Sequence, residues 1–298
     1  MADDRDKANG GFALVAVLGF LLVISAVLLP YSISARLRAL TTVNAMRSFE
    51  DQQLAATLAT YVASQLSSPP GQPIPRAVEA GTPCMWGKTA LELRAQSHAG
   101  LIDLNAAGID LLEIGFQSLG FSGETSKTLA FGVTQYRRLD RTIVSGLSQP
   151  QLTPEGLKHA AFEDIVELHD FLALRTISTA RLANTFTVHT QNGTLAVDFA
   201  SQELRRVISA MTGRVMPFLV ETTGAGRATT VVVTIRRGED LEYVYAATFR
   251  TGASGPTFES NLPGLEGVEA VIELPGRPLS CPSILGPELV QVIGEIIQ

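Results

Sequence analysis

Residues 12–29 read FALVAVLGFLLVISAVLL, and the arrangement of the rest of the chain follows from this stretch. Its 18 residues carry no charge and one hydroxyl, Ser25. That length is near the lower limit for a helix crossing a bilayer, and it exceeds the apolar core, about 7–15 residues, of a cleaved signal peptide. Pro30 follows directly, which a membrane helix tolerates where neighbouring groups satisfy the freed carbonyl. On the N-terminal side, residues 1–11 (MADDRDKANGG) are short and polar, so the apolar run opens abruptly at the Gly11-Phe12 junction. The leader sets Asp3, Asp4 and Asp6 against Arg5 and Lys7, while Arg36 and Arg38 lie beyond the run. Charge bias therefore orients the segment only weakly.

On the C-terminal side the helical pattern continues. Leu37, Leu40, Val43, Met46, Leu54, Leu58, Tyr61 and Leu66 recur mostly three or four residues apart, the spacing of a helix stripe. Arg36, Arg38, Asn44, Arg47, Glu50, Asp51 and Gln52 take much of the remaining surface. Ser67-Ser68-Pro69-Pro70-Gly71 ends the helix. A helix over residues 12–66 would be about 80 Å long at 1.5 Å per residue. Only its first third fits in lipid, so the rest must pack on a head or on a neighbour.

The whole chain has 298 residues, enough for one large domain or two modest ones. Its net charge of -6 and pI near 5.3 create no field favouring nucleic acid. The two cysteines, Cys84 and Cys281, sit beside prolines in turn-like surroundings. They form one disulfide if the head is outside the cytoplasm, or remain two thiols; the residues leave both open. No C-x-x-C or Cys/His cluster suggests a metal site, and His98, His159, His169 and His189 lack metal spacing. No G-x-S-x-G, P-loop or dinucleotide fingerprint is present. Asp164 with His169 or Asp170 could be imagined as an acid/base pair, but charged residues on a helix face are usually structural. The expectation is a non-enzymatic protein.

After the proline-rich linker, residues 89–96 and 101–107 read as a hairpin turning at His98-Ala99-Gly100, with Asn105 capping the turn that follows. Helices are expected over residues 110–119 and 124–139, separated by Gly120-Phe121-Ser122-Gly123. Glu163, Asp164 and Glu167 read as a solvated helix face. Residues 186–190 and 194–199, around Gln191-Asn192-Gly193, read as a second hairpin with an Asn-Gly turn, followed by a helix over 201–211. From Pro217 onward the texture is β-rich, with strands expected at 218–222, 229–236, 241–249 and 268–274. With residues 89–96 these suit a small antiparallel sheet.

The Gly11-Phe12 junction resembles the prepilin peptidase site of type IV pilins and type II secretion pseudopilins. In that family a hydrophilic leader is cut after glycine, leaving a phenylalanine that is usually methylated. Ala16 then stands where most of the family has glutamate. That carboxylate is thought to neutralise a neighbour's N-terminal ammonium in the apolar bundle, where an unpaired charge is expensive. A subunit at the tip has no neighbour above it and does not need one. The absence resembles the K-type minor pseudopilin of the general secretion pathway. The stretches IDLNAA (102–107), YRR (136–138), FEDIVEL (162–168) and FTVHTQNGTLAVDFAS (186–201) are similar, in order, to that subunit's inserted helical domain.

The resemblance implies an α+β, pilin-like fold: a long N-terminal helix on a small antiparallel sheet, with a large helical insertion. Its divisions are a leader, 1–11; the long helix, 12–66, transmembrane over 12–30; a linker and first part of the β head, 67–100; an inserted helical domain of two SAM-like or helix-hairpin-helix-like units, 101–216; and the remaining β head, 217–298. It implies a single-pass protein of the bacterial inner membrane with a periplasmic head, initiating the pseudopilus at its tip and supporting export across the outer membrane. Implied partners are other minor pseudopilins, prepilin peptidase, the inner-membrane secretion platform and membrane lipid. The family also binds calcium near the end of the first helical unit, but residues 135–142 hold one acid, Asp140, among Arg137, Arg138 and Arg141. Calcium ligands are not evident there, and no metal site is carried over. One alternative is a minor pilin-like protein of a type IV pilus or competence system. Another is a nucleic-acid-binding helix-hairpin-helix protein, disfavoured by Asp103, Asp110, Glu113 and Glu124 against Lys127 around the hairpin.

Overall fold

A computed structural model describes residues 6–66, 81, 83–139, 151–152, 156–211, 216–220, 228–238, 241–252, 255–261, 279–281, 291 and 294. The chain divides into two compact units, Met1–Gln53 and Leu54–Gln298. The first is the leading part of helix α1 (Asp6–Leu66). This helix starts six residues before Phe12, inside the polar leader. Gly10 and Gly11 each disfavour helix by about 1 kcal/mol, but adding residues to a formed helix is far easier than nucleating one. From Leu14 to Glu50 nearly every described side chain is exposed, including Leu37, Leu40, Val43, Met46 and Phe49.

The second unit opens with the end of α1, where exposure gives way to burial. Leu54, Leu58 and Val62 form one buried row and Ala55, Ala59 and Ala63 the row beside it. Both advance by four residues, one step along the same helix face. The large row fills space, and the alanine row lets the helix backbone approach its neighbour. The stripe read from sequence contained Leu54 and Leu58 but not the alanines.

These rows pack on a six-stranded sheet ordered β10-β1-β2-β7-β8-β9. Its members are β1 (Cys84–Trp86), β2 (Thr89–Ser97), β7 (Ala228–Arg237), β8 (Leu241–Gly252), β9 (Gly255–Asn261) and β10 (Leu279–Ser280). All neighbours are antiparallel except β1 and β10. Side chains alternate between the faces of a strand. Leu91, Leu93, Val231, Val233, Ile235, Ala247 and Phe249 accordingly share a core with α1. The expected strand at 268–274 lies outside the described residues. Strand β9 was not anticipated. The pair Cys84 and Cys281 is joined as a disulfide within this same core.

Strands β2 and β7 are hydrogen-bonded neighbours, from Thr89↔Arg237 to Ser97↔Thr229, yet about 130 residues separate them in the chain. A second core fills that excursion. It gathers helices α2 (Ile109–Ser118), α3 (Gly123–Tyr136), α4 (Thr179–Ala183) and α5 (Gln202–Ala210), with 3-10 turns at Ile165–Asp170 and Leu172–Leu174. Ser122 caps α3 by accepting from the Thr125 N–H, and Gly120 takes the positive φ of 98° that the tight α2–α3 turn requires. The α+β class with a helical body inserted into a sheet is therefore the observed architecture.

Both hairpins expected in the middle of the chain are replaced by other pairings. The 3-10 turn His98–Gly100 leads into β3 (Ile102–Asp103), which runs parallel to β4 (Phe186–Thr187), while β2 pairs with β1 and β7. Likewise β5 (Leu195–Ala196) pairs in parallel with β6 (Leu219–Val220), not with β4. Leu219 and Val220 consequently leave the main sheet to which sequence assigned them. The physical reason lies in residues 190–194. The Asp103 carboxylate holds the Thr190 and Gln191 N–H groups, and the Asn192 side chain accepts from the Thr194 N–H, so the chain does not fold back on itself.

Gly100 is needed where the insertion begins. A Cβ there would stand 2.0 Å from the Phe199 carbonyl oxygen, against backbone that cannot rotate away. Gly100→Ala is expected to cost about 1–3 kcal/mol, read as a lower urea midpoint at unchanged slope.

Candidate functional site

Two regions carry features beyond packing: the exposed part of α1, and the seam between sheet and insertion. In the first, residues 14–29 present large apolar side chains on all sides. Among the described residues α1 is the one helix long and apolar enough to cross a membrane. Gly11 and Phe12 lie within α1, but their side chains are outside the described residues. Ala16 is exposed, one helical turn beyond Phe12. Neither lipid nor a neighbouring helix would meet a charge anywhere along residues 14–29.

The motif residues of the insertion do structural work. Asp103 is fully buried and accepts five hydrogen bonds. Its Oδ1 takes the N–H groups of Asn105 (2.8 Å) and Ala106 (3.0 Å). Its Oδ2 takes the Thr190 N–H (3.0 Å), the Thr190 hydroxyl (2.8 Å) and the Gln191 N–H (2.7 Å). Asn105 is not itself the cap: its amide pairs with both the N–H and C=O of Phe162, tying the two helical units together. Arg137 donates to the carbonyls of Leu104 and Ala107. Burial lowers its pKa and the Asp103 charge partly restores it.

Tyr136 donates to Asp170 (2.6 Å) and Glu167 (3.3 Å), and stacks on Phe162. Burial, then Asp170 and Glu167, raise its pKa above the ordinary phenol value. Glu167 is not a solvated helix-face residue. It completes a capping box with Asp164, accepting from the Glu163 and Asp164 N–H groups and from Lys158. Burial alone would raise its pKa, but these donors hold it below the usual carboxylate range. Asp170 accepts from Tyr136, and His169 Nε2 meets the Ile177 carbonyl oxygen.

In the first helical unit of the insertion, the described part of residues 135–142 carries no carboxylate. Arg137 occupies the carbonyls there, Asp140–Thr142 fall outside the described residues, and among the described residues no three His, Cys, Asp or Glu side chains gather as ligands.

At the seam, sequence missed the main residue. His98 is 3% exposed, its Nδ1 lies 2.8 Å from the Thr187 hydroxyl and its Nε2 2.7 Å from that of Thr230. Thr230 in turn bonds Thr248 across the sheet at 2.9 Å. The His189 ring lies 5.7 Å away. Burial first, then His189, pushes the His98 pKa down to about 3. The available signal was the β alternation in residues 229–236, which puts Thr230 and Thr234 on the face opposite Val231 and Val233. It could not reveal which group meets them.

Neither a protein-family model nor a curated protein sequence matches the chain. Among solved structures, the fold matches a chain of the GspK-GspI-GspJ complex from the enterotoxigenic Escherichia coli type 2 secretion system. The TM-score is 0.53 at 10% identity, over 76% of this chain and 98% of that one. At this identity the likeness is one of fold.

Proposed function

We propose that the protein is a minor pseudopilin of a type II secretion system, of the K type, acting at the tip of the pseudopilus. The observation that carries the reading is the combination on α1. The apolar run begins in sequence at the Gly11-Phe12 junction, its side chains are exposed from Leu14 onward, and the same helix from Leu54 enters the core of a sheet interrupted by a helical body. The fold likeness to a chain of a minor-pseudopilin complex supports it.

On this reading prepilin peptidase cuts between Gly11 and Phe12 and the new N-terminal Phe12 is methylated. Residues 12–30 remain in the inner membrane, with the head in the periplasm. Other minor pseudopilins pack along α1 and on the head, and the assembly begins the pseudopilus on the inner-membrane platform. Ala16 suits a subunit with nothing above it: a glutamate here would bring an unpaired carboxylate into an apolar bundle.

Mass spectrometry of the chain from cells with active prepilin peptidase tests this. The expected product begins at methylated Phe12, and Gly11→Leu is expected to accumulate as uncut precursor. An intact junction in the wild-type chain, or a cut near Ala35, would overturn the assignment.

A further inference from the structure

The inserted body and the sheet each have their own core. Among the described residues of the sheet, Ala246 and the partly buried Val232 belong to the core of the insertion. Between the two cores lies a cavity of about 80 Å³. It is lined from the sheet side by Glu92, Arg94, Thr230 and Thr248, and from the insertion by Phe186 and His189. Its wall is mostly apolar but carries the Glu92, Arg94, Thr230, Thr248 and His189 side chains, and a space of that size can hold water, since one molecule needs about 10–15 Å³.

The polar bonds across this seam centre on the two histidines. His98, the residue that follows β2, links Thr187 of the insertion to Thr230 of the sheet. His189 receives Arg250 on its carbonyl oxygen at 3.4 Å, and its Nε2 lies 3.4 Å from the Ser260 hydroxyl. A neutral imidazole offers one donor and one acceptor, and the threonine hydroxyls can take either complementary role.

We propose that this seam is an acid-sensitive joint: mild acid lifts the inserted body from the sheet at His98 and His189 while both cores remain folded.

The charged groups around the rings are Arg250 and Glu259 from the sheet, Asp103 and Asp164 from the insertion, and the Glu92–Arg94 pair on the cavity wall. Burial lowers the His189 pKa. Glu259, Asp164 and Asp103 oppose that shift, and Arg250 adds to it. For His98, burial and His189 act in the same direction. The sign follows. A histidine whose seated pKa lies far below its free value of 6.5 favours the seated form fully above pH 6.5 and progressively less as pH falls toward 3. Opening through His98 alone should then rise about ten-fold per pH unit below 6.5. Two imidazolium ions 5.7 Å apart would add repulsion.

The test uses the full chain in detergent micelles carrying a single added thiol, since Cys84 and Cys281 are paired. Ala246→Cys reports on the seam, Ala130→Cys on the insertion's core and Ala59→Cys on the core under α1; all three alanines are buried. Each is labelled between pH 7.5 and 4.5 with a disulfide reagent active in mild acid, and corrected for the rate of the unfolded chain. Labelling of the Ala246→Cys protein is expected to rise about 50-fold from pH 6.5 to 4.5, with the other two protected and with His98→Gln abolishing most of the rise. No rise at position 246, a parallel rise at all three positions, or an undiminished rise in His98→Gln overturns the proposal. If His98→Gln does not fold, the three-position comparison in the otherwise unchanged chain decides.

Discussion

Asp103→Ala should lower the stability of the second unit by about 3–5 kcal/mol, seen as a large drop in urea midpoint with little change in slope. The carboxylate is fully buried and is the sole acceptor found for the N–H groups of Ala106, Thr190 and Gln191 in the hydrogen bonds described above. Removing it leaves several donors without a partner where water has poor access, at about 1–3 kcal/mol each before relaxation. The charge also helps keep Arg137 ionised beside it, and Arg137 braces the same turn through two carbonyls. Asp103→Asn separates charge from shape. Its amide oxygen can replace one acceptor, but its NH₂ then faces N–H donors, so most of the loss should remain. A cost under about 1 kcal/mol for both variants would mean that residues 190–194 find other partners, and that the turn does not depend on this carboxylate.

Replacing Cys84 and Cys281 together by serine should be of similar size. The bond spans 197 residues and so encloses the whole insertion together with β2 and β7–β9. In the chain-entropy account a loop of that length gives about 5 kcal/mol, while native disulfides typically contribute about 2–5 kcal/mol. The sulfurs also fill core space, as Cys84 and Cys281 are both buried beside Leu91 and the end of α1. Denaturant unfolding of the oxidised chain, its reduced form and the double serine variant makes the comparison. The last two should agree with one another and fall well below the first. Equal midpoints for all three would show that the unfolded chain gains little freedom when the loop is opened.

Much of the framework was legible because it depends on residues close together in the chain. Uncharged residues 12–29 call for helix and apolar surroundings whatever follows them. Gly120-Phe121-Ser122 marks the break between α2 and α3, since glycine tolerates positive φ and serine caps a helix. Alternating β-branched residues in 229–236 read as a strand and form one. The IDLNAA stretch was recognisable as a pattern, but the jobs of its members were not. Asp103 was read as part of a strand and Asn105 as a cap, whereas the carboxylate caps and the amide reaches Phe162, 57 residues away. The Asn-Gly turn near Asn192 misled for the same reason. A local turn preference of about 1 kcal/mol yields when a buried carboxylate from another strand claims the donors on either side of it.

Spacing, charge and turn chemistry along the chain determined that a long apolar helix leads into a helical middle and a β-rich end, because steric and solvation preferences act over a few residues. That the middle is an insertion into an α+β head came from the family resemblance. Only the tertiary structure decided that alanines 55, 59 and 63 bring α1 close to the sheet, that Asp103 organises the insertion, and that His98 sits between two threonines 89 and 132 residues further along. Such pairings depend on which surfaces meet after the chain has closed its long loops, and on the cost of leaving a buried polar group unmatched. Neither is written in any short stretch of sequence.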